Sequence, residues 1–423
     1  MDLCFSYLDE VVLAGRGEAV LAALRELERA AGAVGLVLEP SKCELVPVAG
    51  ASSHFCDGGG FPPSFLVRPD GNFDLLGAPI GQDGCCNAYT QSERVAKAEP
   101  CLQALAELPD PQTALLLLRN CSSYARLVHS MRVTPPAAHA EALSSFDGQV
   151  RGCLEQLGCL PLTDRAWQQA ALGLSTGGLG LRSSAAHSPA AYLASVAATA
   201  DACQALDARY AGDWPASTQA VARFNGAVLA ADRIAPDQPP RRQRDLSAAL
   251  DKAQLAQLAV SAPGEADRAH LQLVQQPGAG AWLEARPSQA FGLHVDAARF
   301  RVLLRVRLRR PVASTEGFCP LCDGTADRYA DHARACPCGG DRTKRHNRLR
   351  TALASHAAAA GLSPDVEKQG LLPARPEELG ASEAGGAQAL SLIHISEPTR
   401  LESKSRFAAC GCKWGGGGGG GGG

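Results

Sequence analysis

Four residues with metal-binding side chains lie close together in the C-terminal part of the chain, in the pattern Cys319-x2-Cys322-x9-His332-x3-Cys336. Two cysteines at this spacing can present both thiolates to one ion, and the histidine and the last cysteine share one face of a helix. The surrounding loop has too little apolar content to fold without a cross-link. Nitrogen and sulfur ligands suit zinc, so the pattern predicts a structural Zn²⁺ site in a small module at residues 311–360.

Other assignments of these side chains are open at the level of sequence. Cys338 could replace Cys336, His346 is a spare candidate ligand, and the cysteines could instead be free surface thiols. The 16 cysteines of the 423-residue chain are too dilute for a disulfide scaffold. We therefore expect reduced thiols and an intracellular protein, nuclear or cytoplasmic.

Positive charge is concentrated around the cysteine–histidine motif. The whole chain has a formal net charge of −2, yet residues 299–350 hold thirteen basic residues against five acidic ones. Arginines along a predicted helix at 296–310 are typical of phosphate-backbone contacts, and we assign that role to Arg301, Arg305, Arg309 and Arg345. A solvated basic face is the alternative. Few aromatic residues lie in this segment, so base stacking is not expected.

The end of the chain has an unusual composition. Residues 390–400 (LSLIHISEPTR) match the translation of the transposase-adapter DNA used in sequencing libraries, and residues 415–423 are nine consecutive glycines. We expect residues 390–423 to be a library artefact and exclude them from fold reasoning; a flexible glycine tail is the alternative. No apolar run reaches the ~18 residues of a membrane span, and no secretory signal begins the chain, so no membrane association is expected.

Short strands and one helix are predicted in the first 80 residues. A hairpin at 1–14 carries Asp9 and Glu10 at its tip, and an amphipathic helix follows at 18–34. Residues 36–38 and 45–46 predict a strand–turn–strand, and residues 73–80 predict a strand broken by Gly77 and Pro79.

Helices dominate the remainder, which makes the fold class α+β. Thr90 and Glu93 have the spacing of a capping box, and Ser188-Pro189 has the pattern of a helix start. A Gly-rich string at 177–182 could offer N–H groups to a phosphate, although a structural turn is favoured. Helices are predicted at 91–107, 111–131, 136–157, 164–173, 188–208, 216–231, 244–260, 264–276, 296–310 and 341–360.

The first 89 residues resemble the palm of a reverse transcriptase of the non-LTR (LINE-like) retrotransposon type. Residues 7–14 (YLDEVVLA) are similar to the family's Tyr-x-Asp-Asp hairpin, residues 35–44 (GLVLEPSKCE) to the segment whose lysine lies near the incoming nucleotide, and residues 75–81 (LLGAPIG) to the primer-grip hairpin. The resemblance implies catalytic roles for Asp9 and Glu10 with Mg²⁺. It places Tyr7, Lys42, Leu76 and Gly77 near the nucleotide or primer.

Two departures from the family pattern bear on activity. Glu10 stands where the family has a second aspartate, one methylene shorter. The family's first catalytic aspartate lies upstream of this hairpin, on a palm strand that the sequence given does not contain. The resemblance therefore implies RNA-directed DNA polymerisation for the parent protein, and we expect this fragment to be inactive.

The rest of the family pattern supplies a domain plan. In these elements a helical thumb follows the palm, and some carry a Cys-Cys-His-Cys zinc module that leads into a restriction-like endonuclease. The expected regions are a palm portion at 1–89, a thumb-like region at 90–234, a helical linker with the basic helix at 235–310, the zinc module at 311–360, the start of an endonuclease-like region at 361–389, and the artefact at 390–423.

Two functions follow as hypotheses. One is a fragment of a retroelement reverse transcriptase with RNA template and DNA primer or target as partners, and no obligate protein partner. The alternative is a non-enzymatic, zinc-stabilised nucleic-acid-binding protein from a decayed or repurposed element.

Overall fold

A computed structural model describes residues 2–8, 10–48, 60–210, 215–235, 242–336, 338, 341–366 and 393–396. The chain divides into two compact units, Met1–Ser314 and Thr315–Gly423. Helices predominate, and the strands form two-stranded sheets, so the α+β class agrees with the structure. Within the part of the chain that the structure describes, no helix is long and apolar enough to cross a membrane.

The chain begins with an antiparallel hairpin. Strands β1 (Leu3–Tyr7) and β2 (Glu10–Ala14) pair with Tyr7 opposite Glu10, so the turn between them is two residues long. Helix α1 (Gly17–Ala33) follows. The predicted hairpin and the predicted amphipathic helix are both confirmed, although Glu10 belongs to β2 rather than to the turn.

The predicted strand–turn–strand around residue 40 is wrong. Residues 36–38 form no strand, and a 3₁₀ turn, Pro40–Lys42, follows them. Strand β3 (Glu44–Leu45) pairs instead in parallel with β4 (Leu66–Val67). The N–H groups of Leu66 and Arg68 donate to the carbonyls of Cys43 and Leu45. The partner is distant in sequence, so the local apolar pattern did not indicate it.

Residues 73–80 form a hairpin rather than one broken strand. Strands β5 (Phe73–Leu75) and β6 (Ala78–Ile80) are antiparallel. Leu76 and Gly77 make the turn with φ of 50° and 74°. Two successive positive φ values match the type I′ turn whose twist suits a hairpin.

Helices of the first unit agree with most of the predicted ranges. They are α2 (Asp83–Tyr89), α3 (Lys97–Ala106), α4 (Pro111–Leu117), α5 (Val128–Val133), α6 (Ala140–Gly158), α7 (Asp164–Ala171), α8 (Ser184–Leu206), α9 (Pro215–Ala227), α10 (Gln243–Val260), α11 (Glu265–Val274) and α12 (Ala297–Arg307). The single helix predicted at 111–131 is interrupted by a π-helical turn and by Ser123, whose φ and ψ of −102° and −128° are not helical.

Two predicted helix starts are wrong. A π-helical segment, Thr90–Ala96, continues α2, and the Thr90 hydroxyl donates to the Cys86 carbonyl instead of capping a helix. Helix α8 begins after Ser183, whose hydroxyl accepts the N–H of Ala186 at 3.0 Å, and the Asp147 carboxylate accepts the N–H of Ser184 at 2.7 Å. Pro189 then lies inside the helix and has no N–H to donate to the Ala185 carbonyl. The Ser188 hydroxyl donates to that carbonyl instead.

The main hydrophobic core joins helices from both the predicted thumb-like region and the predicted linker. Met131, Phe146 and Leu154 are fully buried in one cluster with Phe300 and Leu304 of the basic helix α12. The apolar side of α12 therefore lies in the same core as residues of the predicted thumb.

The second unit contains the zinc-motif residues. A short antiparallel hairpin of β7 (Gly317–Phe318) and β8 (Thr325–Ala326) precedes α13 (Asp331–Ala335) and α14 (Asp341–Ala359). Strand β9 (Ser363–Val366) pairs with β10 (Ile393–Ser396). Residues 367–392, most of the predicted endonuclease-like region, and residues 397–423 lie outside the described part of the chain.

Candidate metal centre

The structure brings the four predicted zinc ligands together. The ligand atoms of Cys319, Cys322, His332 and Cys336 all lie within 4.8 Å of one another. The Cys336 Sγ is 3.9 Å from the Cys319 Sγ and 3.8 Å from the Cys322 Sγ, and the Cys322 Sγ is 3.3 Å from the His332 Nε2. Tetrahedral zinc with bonds of about 2.3 Å to sulfur and 2.0 Å to nitrogen requires about 3.8 Å between sulfurs and about 3.5 Å between sulfur and nitrogen. The spacing therefore fits one tetrahedral ion.

The β7–β8 hairpin positions the two cysteines of the knuckle. The Cys319 N–H donates to the Gly324 carbonyl at 2.9 Å, and the Gly324 N–H points at the Cys322 Sγ at 3.4 Å. A Cβ on residue 324 would lie 2.7 Å from the His332 Cε1 and 3.3 Å from the Cys322 Sγ. Glycine suits this position because a side chain there collides with the His332 ring and crowds the Cys322 sulfur.

Asp327 orients the helix that carries the other two ligands. Its carboxylate accepts the N–H groups of Tyr329, Asp331 and His332, at 2.8, 3.1 and 2.6 Å. Desolvation raises the pKa of this carboxyl, but the three backbone donors outweigh it and the net shift is downward. Sequence reasoning missed Asp327; its position four residues before the start of α13 is the signal that could have indicated a capping carboxylate.

The two knuckle thiols have pKa values shifted in opposite directions. The backbone N–H of Leu321 lowers the pKa of the Cys319 thiol to about 6. The Gly324 N–H lowers the pKa of the Cys322 thiol. Desolvation and the neighbouring thiols of Cys319 and Cys336 raise that pKa by more, so its net shift is upward. A bound dication relieves this crowding of negative charge, because each ligand becomes a coordinated thiolate.

The alternative ligands are not part of this group. Cys338 and His346 both lie outside the cluster that the structure assembles. All four ligand positions of a tetrahedral ion are filled by side chains, and the site can therefore stabilise the fold but offers no open position for a substrate.

The residues of the predicted polymerase site lie on separate small elements. Tyr7 and Glu10 are exposed at the end of the β1–β2 hairpin, and Asp9 lies outside the described residues. Lys42 is exposed in the 3₁₀ turn. Among described residues, the Cys/His cluster is the one place where three or more potential metal ligands meet, so the structure gives no support for Mg²⁺.

The turn predicted to lie near a primer has an internal partner. Leu76 is partly exposed, and the Gly77 carbonyl accepts a hydrogen bond from the Arg94 guanidinium at 2.8 Å. Each of the three N-terminal strand pairs is a sheet of its own. No palm-like sheet joins these pairs within the residues that the structure describes.

Arginines of the predicted phosphate footprint have partners within the protein. The Arg301 Nε donates to the Leu157 carbonyl at 3.1 Å, and Arg305 donates to the Cys159 carbonyl, both at the C-terminal end of α6. Arg309 pairs with Asp267 at 3.4 Å. These three guanidinium groups neutralise a helix C-terminus and a carboxylate of their own unit.

Arg307, the most buried of the arginines on α12, fixes the Gly-rich string. The residue is 4% exposed, and its guanidinium donates to the carbonyls of Leu174, Gly178 and Ala279 at 2.8, 3.0 and 3.0 Å. The N–H groups of Gly178 and Gly180 donate to backbone carbonyls in the same turn. The string is therefore a structural turn, as its sequence favoured, and its N–H groups are used internally.

Arg345 is exposed on α14, in the second unit. Its Nη2 donates to the Arg334 carbonyl at 2.6 Å, which attaches the basic start of α14 to α13, the helix that carries His332 and is followed directly by Cys336.

Comparison with known proteins adds no relative. No protein-family model matches the chain, and no curated protein matches it at a significant level.

Proposed function

We propose that this chain is the zinc-stabilised nucleic-acid-binding portion of a retroelement protein. The observation that carries the proposal is the tetrahedral Cys₃His group with a basic helix joined to it through the Arg345–Arg334 hydrogen bond. Positions 342–350 of α14 hold five basic residues and no acidic one. A phosphate backbone is the polymer that such a helix attracts without sequence preference.

Zinc stabilises the module rather than performing chemistry. The described hairpin β7–β8 has two residues in each strand, which is too little to be stable alone. Cross-linking it to α13 through one ion fixes the module, and α14 follows it in the chain. We therefore expect loss of zinc to unfold this region and to weaken nucleic-acid binding together.

Zinc stoichiometry and binding test the proposal directly. We expect about one zinc per chain by elemental analysis, and loss of that zinc in the double variant Cys319→Ser/Cys322→Ser. The exposed pair Cys121 and Cys159, replaced in the same way, is the matched control. Affinity for a labelled oligonucleotide should fall in the first variant and stay unchanged in the second. A zinc-free wild-type chain, or equal affinity in all three proteins, would refute the assignment.

A template-directed polymerase origin is the second candidate. Supporting observations are the β1–β2 hairpin and the β5–β6 hairpin, which occur at the first and the third of the segments similar to the reverse-transcriptase palm, and helix α1, which follows the first hairpin. In that case Asp9 and Glu10 hold Mg²⁺ in the intact parent protein, with RNA template and DNA primer as partners. In a full-length parent protein, Asp9→Ala should abolish template-directed nucleotide incorporation, and retained incorporation would contradict the palm assignment.

A further inference from the structure

An apolar surface is exposed directly beside the metal ligands. The side chain of Phe318, which precedes Cys319, is 90% exposed, and Leu321, which precedes Cys322, is 49% exposed. Phe318 is held in strand β7 opposite Thr325, and its neighbour Gly317 has open space where a side chain would be. Because each apolar residue adjoins a ligand, the metal fixes the backbone on which both are carried.

The other aromatic residues of the basic segment are not available in this way. Phe300 is fully buried in the core of the first unit, and Tyr329 is half-buried. Few aromatic residues lie in the basic segment, but the exposed one, Phe318, adjoins the metal site and can stack on a base.

The hairpin that carries this apolar surface is acidic, whereas helix α14 of the same unit is basic. Glu316 and Asp323 are exposed on the hairpin, whereas Asp331 pairs with Arg334 at 2.5 Å and Asp327 caps α13. Exposed cations lie on α14, where Arg345 is tied to the zinc module. The surface thus combines a rigid apolar ring on an acidic hairpin with a basic helix attached to the same module.

An unpaired nucleotide matches this combination. Its base presents a flat face that stacks on an aromatic ring, and its phosphates are attracted to cations and repelled by carboxylates. We propose that Phe318, with Leu321 beside it, is a stacking platform for a base of single-stranded nucleic acid whose phosphates run along α14. This inference rests on the proposed nucleic-acid-binding function and adds the strand state of the ligand, because the faces of paired bases inside a duplex are already covered.

The test uses the zinc-loaded full chain and three fluorescent probes of equal length: single-stranded DNA, single-stranded RNA and duplex DNA. We expect Phe318→Ala to weaken binding of the single strands about 5- to 100-fold, from the range measured for stacking on one aromatic side chain, and to leave duplex binding unchanged. Phe318→Trp should retain affinity. Phe291→Ala, which removes an exposed ring from the first unit, is the matched control. Comparing the affinities for single-stranded DNA and single-stranded RNA shows which of the two nucleic acids the platform prefers.

A spectroscopic readout separates stacking from folding. A single-stranded probe with one 2-aminopurine should lose fluorescence on binding wild type and retain it on binding Phe318→Leu, which keeps an apolar side chain without a π-face. The zinc content of Phe318→Ala and of Phe318→Leu must stay at the wild-type level.

Failure of this inference is distinguishable from failure of the proposed function. Unchanged single-strand affinity in zinc-loaded Phe318→Ala overturns the platform, while weaker binding of every probe by Arg345→Gln/Arg348→Gln keeps the proposed function. A change of oligomeric state in Phe318→Ala, with no change in affinity, also overturns it and identifies the ring as a protein contact. If wild type binds none of the probes, both proposals fail.

Discussion

Replacing Arg307 by methionine tests whether the basic helix is a structural element. The guanidinium is buried, and burial lowers its pKa, yet it is held by three carbonyl acceptors at 2.8 to 3.0 Å. Three charge-assisted hydrogen bonds at about 1.5 kcal/mol each make the loss at least about 4–5 kcal/mol, and three carbonyls left unpaired add to it. Relief of the guanidinium's desolvation cost offsets several kcal/mol. We therefore expect Arg307→Met to lower the free energy of unfolding by about 3–5 kcal/mol.

Urea unfolding followed by tryptophan fluorescence measures this change, since Trp167 and Trp282 pack against the core of the first unit. Arg301→Met is the matched control: its half-buried guanidinium makes one hydrogen bond, to the Leu157 carbonyl, and its loss should cost about 1 kcal/mol. If Arg307→Met unfolds within about 1 kcal/mol of wild type, the guanidinium does not hold the Gly-rich turn.

Three further outcomes are expected. Gly324→Ala should weaken zinc affinity about 10-fold in competition with a chromophoric chelator, because its Cβ meets the His332 ring, whereas Gly317→Ala should not; equal affinities would contradict this. Leu76→Asn should stabilise the β5–β6 hairpin by about 1 kcal/mol, since asparagine tolerates the φ of 50° better, and a lower melting temperature would contradict it. Burial lowers the pKa of His139 to about 4, so the unfolded chain binds its proton first and stability should fall, by up to about 3 kcal/mol, as pH drops from about 6.5 to 4; His139→Gln should flatten that part of the pH profile.

The metal group could be predicted from sequence because its information is local. Two cysteines three positions apart, and a histidine and cysteine four positions apart, bring ligands together by hairpin and helix geometry alone. The helices at 140–158 and 243–260 were predictable for a similar reason, since apolar spacing and flanking prolines bound them. Assignment of the first 89 residues to a polymerase palm stays a prediction.

Tertiary contacts explain most of the errors. Helix α8 starts at Ser184 because the Ser183 hydroxyl caps it and a carboxylate 37 residues upstream accepts the Ser184 N–H, and together these outweigh the Ser-Pro pattern at 188–189. Strand β3 pairs with residues 66–67 rather than with the apolar run at 36–38. In both cases a partner that is distant in sequence contributes to the outcome, and local propensity contains no information about that partner.

The arginines show how charge counted along a sequence overstates a binding footprint. On α12, Arg301 and Arg305 donate to the end of α6 and Arg307 is buried, and Arg309, just after the helix, pairs with Asp267. These groups bind protein oxygens, so releasing them to phosphate would cost the contacts they already make. Counterion release should then come mainly from the basic residues of α14, of which Lys344, Arg345 and Arg348 are exposed although Arg345 also donates to a protein carbonyl. With five of these at positions 342–350, the slope of log affinity against log salt should be no steeper than about −3.5 for a single strand, whereas recruiting the four arginines at 301–309 would bring it to about −6. A salt titration of oligonucleotide affinity distinguishes the two values, and a slope near −6 would show that α12 also contacts the nucleic acid.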